Sequence, residues 1–163
     1  MKKILLIGAL LFSSSVIAEE SNDDYSFNAK LGASRYTGIF GVEVQKGKWS
    51  LGFGLPTSVS LKRYNHENED SLFYGVYWGK YTDDSYNDYE DGVLFDTYER
   101  ESYGVGVGYI WLWESGWNAS TGLSLEDFEQ KYTNSNGNYL KTGYSIYLDL
   151  CEGVQNSVSE ITV

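Results

Sequence analysis

From Tyr103 to Trp113 the odd positions carry Tyr103, Val105, Val107, Tyr109, Trp111 and Trp113, while the even positions open Gly104, Gly106, Gly108. Side chains on a strand point alternately to opposite faces, so this run is a strand with one large face and one small face. The next run repeats the pattern: Trp117, Ala119, Thr121, Leu123 and Leu125 alternate with Asn118, Ser120, Gly122, Ser124 and Glu126. Glu114-Ser115-Gly116 between them is short enough to close a hairpin.

Period two covers most of the remaining chain. Tyr25–Ala33, Phe40–Gln45, Trp49–Leu61, Leu72–Gly79 and Tyr144–Leu150 alternate in the same way. Stretches rich in Gly, Asn, Asp or charge separate the runs at 35–38, 46–48, 65–70, 83–92, 114–116 and 133–138, and read as turns and loops. No helical period of useful length occurs, which predicts one all-β domain of about eight strands. The segments 38–55 and 103–125 both run strand, tight turn, Trp-started strand, a single echo rather than a repeat.

Two registers reach that strand count. In the favoured one, 48–63 is a single long strand with a bulge at Pro56 and 153–163 is the last strand; unbroken parity from Trp49 to Leu61 supports it. In the other, Pro56, which cannot donate a ladder hydrogen bond, splits 48–63 into two short strands, and the chain after Cys151 is a tail.

The start of the chain reads as an address. Met1-Lys2-Lys3 is a positive head, Ile4–Phe12 an apolar run, and Val16 and Ala18 are small residues placed for cleavage, so residues 1–18 are expected to be a secretory signal and 19–163 the folded domain. Losing Lys2 and Lys3 leaves 10 of the 12 basic residues against 23 acidic ones. That balance excludes a nucleic-acid partner, which requires clustered Lys and Arg. An aromatic content of 17% excludes a disordered acidic tail, and a single Cys excludes a disulfide scaffold. No later stretch has the ~20 apolar residues of a membrane helix, so a membrane crossing would have to use strands.

The small face decides which side is inside. It carries Gly and Ser with occasional Lys30, Glu43, Lys62, Glu126 and Asp149. Such residues suit the crowded interior of a narrow barrel, where opposite charges pair away from lipid. The large face, with Trp49, Trp78, Trp111, Trp113 and Trp117 as candidate membrane-interface aromatics, suits contact with a bilayer. The prediction is an antiparallel up-and-down transmembrane β-barrel. The alternative is a secreted soluble barrel holding a small apolar ligand, with Gly47-Lys48-Trp49 similar to the Gly-x-Trp of lipocalin- and avidin-like barrels.

The signal, the Gly-spaced strand Tyr103–Tyr109 and the tight turn Trp113-Glu114-Ser115-Gly116-Trp117 resemble the small eight-stranded outer-membrane β-barrel proteins of Gram-negative bacteria. The similarity spans most of 25–150. It implies an outer-membrane location, lipid and the outer-membrane assembly machinery as partners, a monomer, short periplasmic turns, longer surface loops, and a structural or surface-interaction role without an open pore. The chain departs from the family's closing aromatic residue by ending in Val163. With 114–116 periplasmic, the acidic stretch 83–101 falls outside; the favoured register puts 83–92 on the periplasmic side, and the other register removes that conflict.

Chemistry-bearing residues are few. His66, the only His, sits in the hydrophilic Asn65-His66-Glu67-Asn68-Glu69-Asp70 with no G-x-S-x-G partner, so neither a catalytic triad nor a lipid-modifying enzyme is favoured, and no catalytic residue or cofactor is expected. Glu126, Asp127 and Glu129 do not make a shared carboxylate site, since adjacent strand residues point apart. Cys151 reads as a buried small hydrophobe. Asp83, Asp84, Asp88, Glu90 and Asp91 are weak candidates for a divalent cation, against the reading of a solvated acidic loop.

Overall fold

A computed structural model of the chain describes residues 25–67, 69–90 and 93–158. The expected signal at 1–18 and the C-terminal 159–163 lie outside them. The strands run β1 Tyr25–Ser34, β2 Gly38–Lys46, β3 Trp49–Leu55, β4 Ser58–Tyr64, β5 Ser71–Asp83, β6 Asp88–Glu90, β7 Val93–Phe95, β8 Thr97–Leu112, β9 Trp117–Asn134 and β10 Gly137–Val158.

Eight of these close a barrel in the order β1-β10-β9-β8-β5-β4-β3-β2, each antiparallel to its neighbours, while β6 and β7 form a separate hairpin. Each of the eight barrel strands neighbours the barrel strands before and after it in sequence, with β10 returning to β1, so the topology is up-and-down. The antiparallel all-β barrel read from the alternation is the observed architecture.

The favoured register is corrected at two places. The segment 48–63 is not one bulged strand: the chain reverses at Pro56-Thr57, after a cis Leu55-Pro56 bond, and β3 pairs back on β4. Parity survives the reversal because partners across the turn are both even or both odd: Gly52 lies opposite Ser60 and Phe53 opposite Val59. An unbroken alternation therefore looks the same for one strand or for two folded on each other. The last strand is likewise not a separate 153–163. β10 runs continuously from Gly137, and its part from Leu150 to Val158 closes the barrel on Ala33–Tyr25 of β1. Glu152 interrupts the apolar outward series there, yet the inward series Asp149, Cys151, Gly153 continues unbroken.

The barrel wall is uneven. β1 to β4 have 7 to 10 residues, whereas β5, β8, β9 and β10 have 13, 16, 18 and 22 and project past them as a four-stranded wall. One end, here the terminal end, holds the start of β1, the end of β10 and the connections 47–48, 65–70 and 113–116. The opposite loop end holds the turns 35–37, 56–57 and 135–136 and the acidic connection 84–96. The acidic stretch and the 114–116 turn thus lie at opposite ends.

The acidic connection is anchored by its own hairpin. Phe95 is buried with its ring 5.7 Å from Tyr132 and 6.2 Å from Tyr139. The Asp96 amide donates to the Thr133 carbonyl at 2.8 Å, and Asn134 Nδ2 donates to the Leu94 carbonyl at 2.8 Å.

Candidate functional site

Inward and outward residues differ sharply in kind. The outward series of β10, Tyr144, Ile146, Leu148 and Leu150, is 52 to 74% exposed, and Leu31, Phe53, Leu72, Val107 and Leu123 on other strands are 47 to 61% exposed. The inward series is buried and polar: Ser26, Asn28, Lys30, Glu43, Ser50, Ser60, Lys62, Asn118, Ser124, Glu126 and Asp149. This inverts the usual sorting of a water-soluble sheet.

Aromatic residues rim the apolar belt at both ends. Trp49, Trp111, Trp113 and Trp117 gather at the terminal end, all 36 to 55% exposed. Arg63 lies 5.9 Å over the Trp49 ring and donates from Nη1 to the Tyr74 hydroxyl at 2.6 Å. Trp78 stands at the loop end, where its indole N–H donates to Glu101 at 2.9 Å and the Tyr103 hydroxyl donates to the same oxygen. Beyond Trp78 and Tyr103 the outer wall turns polar: Lys80 faces Glu101 across the β5–β8 pair, and Lys131 lies 3.8 Å from Glu99. The Tyr103 hydroxyl, with the Trp78 indole second, holds the Glu101 carboxyl below the usual carboxylate range.

Two ionic clusters and an aromatic plug fill the inside. Glu43, fully buried, pairs with Lys62 and accepts from the Tyr64 hydroxyl at 3.3 Å. Lys30 donates to Asn118, which donates to Asn28 at 3.2 Å. Nearer the loop end, Glu126 is also fully buried; it pairs with Arg100 and with Arg35 at 3.3 Å, and accepts from the Tyr77 hydroxyl at 3.2 Å. Between the clusters, Tyr36, Phe73, Tyr64 and Tyr77 pack edge to face or tilted at 5.3 to 5.8 Å. Gly104, Gly106 and Gly108 make room for them, since a Cβ on each would strike Tyr77, Tyr36 and Phe73 respectively.

Above this plug a cavity of about 370 Å³ opens at the loop end. Its lining brings together Arg35, Arg100, Lys80 and Asp149 with apolar Ala33, Ile39, Pro56 and Leu148. The Asp149 carboxylate accepts from the Arg35 amide at 2.6 Å and the Ser124 hydroxyl at 2.8 Å. Arg35 stacks 3.7 Å from the centre of the Tyr147 ring, and Arg100 donates to the Tyr147 hydroxyl at 2.8 Å.

The other sequence candidates fall elsewhere. Asp83 ends β5 and accepts from the Ser85 amide and hydroxyl, both at 3.0 Å; Asp84 is exposed in the following turn; Asp88 and Glu90 bound β6; Asp91 lies outside the described residues. Among the described residues, no three His, Cys, Asp or Glu side chains gather where they could hold a metal ion. His66 is exposed at the terminal end, and its amide donates to Ser71 at 2.9 Å. Glu126 points inward and Asp127 outward, so they share no site. Cys151 is buried, facing inward beside Thr37.

Sequence reading placed Lys30, Glu43, Lys62, Glu126 and Asp149 on the small face and missed Arg35 and Arg100. Arg100 carries a readable signal, because its even position extends the inward series Gly108, Gly106, Gly104, Ser102. Arg35 carries none, lying in a turn where parity does not apply. No protein-family model, curated protein or solved structure matches this chain.

Proposed function

We propose that the protein is a small integral outer-membrane β-barrel with a structural or surface-interaction role, closed to flow, and with its acidic connection on the cell surface. The observation that carries this reading is the inversion of the wall: an apolar belt faces out from all eight barrel strands, and the polar and charged side chains face in. In water such a belt would drive aggregation; against lipid it is the matched surface. Its height fits. Tyr103 to Trp111 covers about 27 Å along the strand at about 3.4 Å per residue, and at a tilt of about 40° this is about 20 Å, close to the apolar band of about 25 Å in such barrels.

The aromatic rims and the polar wall beyond Trp78 support the same placement, because indole and phenol groups sit best where hydrocarbon gives way to water. The aromatic plug and the two ion-paired clusters fill the barrel at their levels, which supports a barrel closed to flow. An apolar ligand inside would need an open apolar inner surface, whereas the inward face here is Ser, Gly, Lys and Glu around the packed rings of Tyr36, Tyr64, Phe73 and Tyr77.

Cell fractionation with unboiled and boiled electrophoresis tests the reading. The expected result is a membrane-fraction protein that migrates faster unboiled than boiled; a protein in the soluble fraction with no heat-dependent shift overturns it.

A further inference from the structure

We propose that the loop-end cavity binds a phosphate-bearing amphiphile, with the anionic head between Arg35, Arg100 and Lys80 and the chain along the exposed Ala33, Ile39 and Leu148. The site rests on the membrane placement argued above, and on a break in the wall. Pairing of β1 with β10 stops at Ala33–Leu150, and the part of β10 towards the loop end is paired with β9. The cavity lies over that break, so its lining joins the barrel mouth to the outer belt. Leu148, 61% exposed, belongs to the belt, Ile39, 67% exposed, sits at the bulge that opens β2, and Arg100 and Asp149 belong to the interior.

The polar part is arranged for an anion. Arg35 and Arg100 line the cavity with one acidic residue, Asp149, whose two oxygens already accept from the Arg35 amide and Ser124, and Lys80, on the outer wall opposite Glu101, stands at its rim. Glu126, which pairs with both guanidinium groups, is sealed off beneath them. The Arg35 and Arg100 side chains keep 33% and 16% of their surface exposed after Glu126 and Tyr147 have been served. A guanidinium fork matches a phosphate by two parallel hydrogen bonds, and a low-dielectric rim strengthens them. A volume of about 370 Å³ takes the head group and first carbons, and the rest of the chain has the apolar belt to lie on.

The full chain, refolded in micelles of an uncharged maltoside detergent, is titrated with n-dodecyl phosphate while the amide resonances of Gly38, Gly79 and Ser102 are followed. Saturable binding of one dodecyl phosphate per chain is expected, weakened at least tenfold by Arg35→Gln and about threefold by Lys80→Gln or Ile39→Ser. Inorganic phosphate should bind at least tenfold more weakly. Equal binding of inorganic phosphate overturns the amphiphile assignment, and absence of saturation, or binding unchanged in the variants, overturns the site. Should Arg35→Gln fail to refold, the two rim variants decide. Unboiled electrophoresis of the same sample separates the two readings: a heat-shifting barrel without saturable binding removes only the site, and a chain that stays soluble without detergent and shows no shift removes the membrane placement.

Discussion

Arg35 Nε lies 3.3 Å from Glu126 Oε2, tying the β1–β2 turn across the barrel mouth to β9. The same carboxylate pairs with Arg100 and accepts from Tyr77. One buried acid therefore joins the turn, two tall strands and the aromatic plug.

Removing that acid strands two guanidinium groups. Breaking one side of a buried ion pair costs about 3–5 kcal/mol, because the remaining charge keeps its desolvation cost without its partner. Glu126→Ala should lower the unfolding free energy of the refolded barrel by about that much, read from the urea midpoint of tryptophan fluorescence. Glu126→Gln, which keeps the acceptor oxygen, should cost less. An Ala variant within about 0.5 kcal/mol of wild type would mean that the pairs contribute nothing net.

Gly106 faces inward under the Tyr36 hydroxyl, with the Leu123 carbonyl also close. Gly106→Val forces a branched side chain into filled space and should cost about 1–3 kcal/mol through overpacking. Val107→Leu, one residue along and pointing outward, should change the urea midpoint by less than about 0.5 kcal/mol. Equal effects at the two positions would show that the glycines do not serve as the seat of the plug.

A charge placed on the belt distinguishes lipid from water. Leu123 lies outward within the belt at 56% exposure, and Leu140 lies at 59% on the tall wall beyond it. In a bilayer Leu123→Arg should cost about 2–4 kcal/mol and Leu140→Arg about 0–1 kcal/mol. The check is refolding yield and urea midpoint in lipid vesicles. A barrel whose belt faced water would tolerate both alike.

Legibility in the sequence follows from which quantities parity fixes. Alternation assigns a face, so the inward Lys30, Glu43, Lys62, Glu126 and Asp149 and the outward tryptophans could be read directly. It does not record the direction of the chain, so a hairpin that keeps parity, as at Pro56-Thr57, reads as one strand, and the proline was the better guide. It fails in turns, which hid Arg35 and Tyr36; Arg35 supplies one of the two ion pairs of Glu126, and Tyr36 packs on Phe73 and Tyr77 in the plug. The large inward Phe73 and Tyr77 make sense only once Gly108 and Gly104 are seen opposite them across the β5–β8 pair. The weak alternation after Glu152 hid the part of β10 that pairs with β1.

Phe95 joins the acidic connection to the tall wall and does not contribute to the barrel interior. Its ring packs on Tyr132 and Tyr139, beside backbone and Asn134 contacts of the hairpin and the Tyr86 ring, 5.4 Å from Tyr98 and 5.9 Å from Tyr132. Truncation of a buried Phe to Ala costs about 3–5 kcal/mol, and here that loss falls on docking of the hairpin, a local opening rather than global unfolding. Phe95→Ala should therefore speed cleavage between Asp83 and Asp96 by about 100-fold or more, since each 1.4 kcal/mol is about tenfold in the open population. The urea midpoint of the barrel should move by less than about 0.5 kcal/mol. With a broad-specificity protease added to intact cells, the same cleavage should occur from outside, while a tag inserted at Gly116, at the opposite end, stays protected. Cleavage of the variant at the wild-type rate would show that Phe95 does not hold the connection down, and a tag at Gly116 that is cut from outside would place the two ends the other way round.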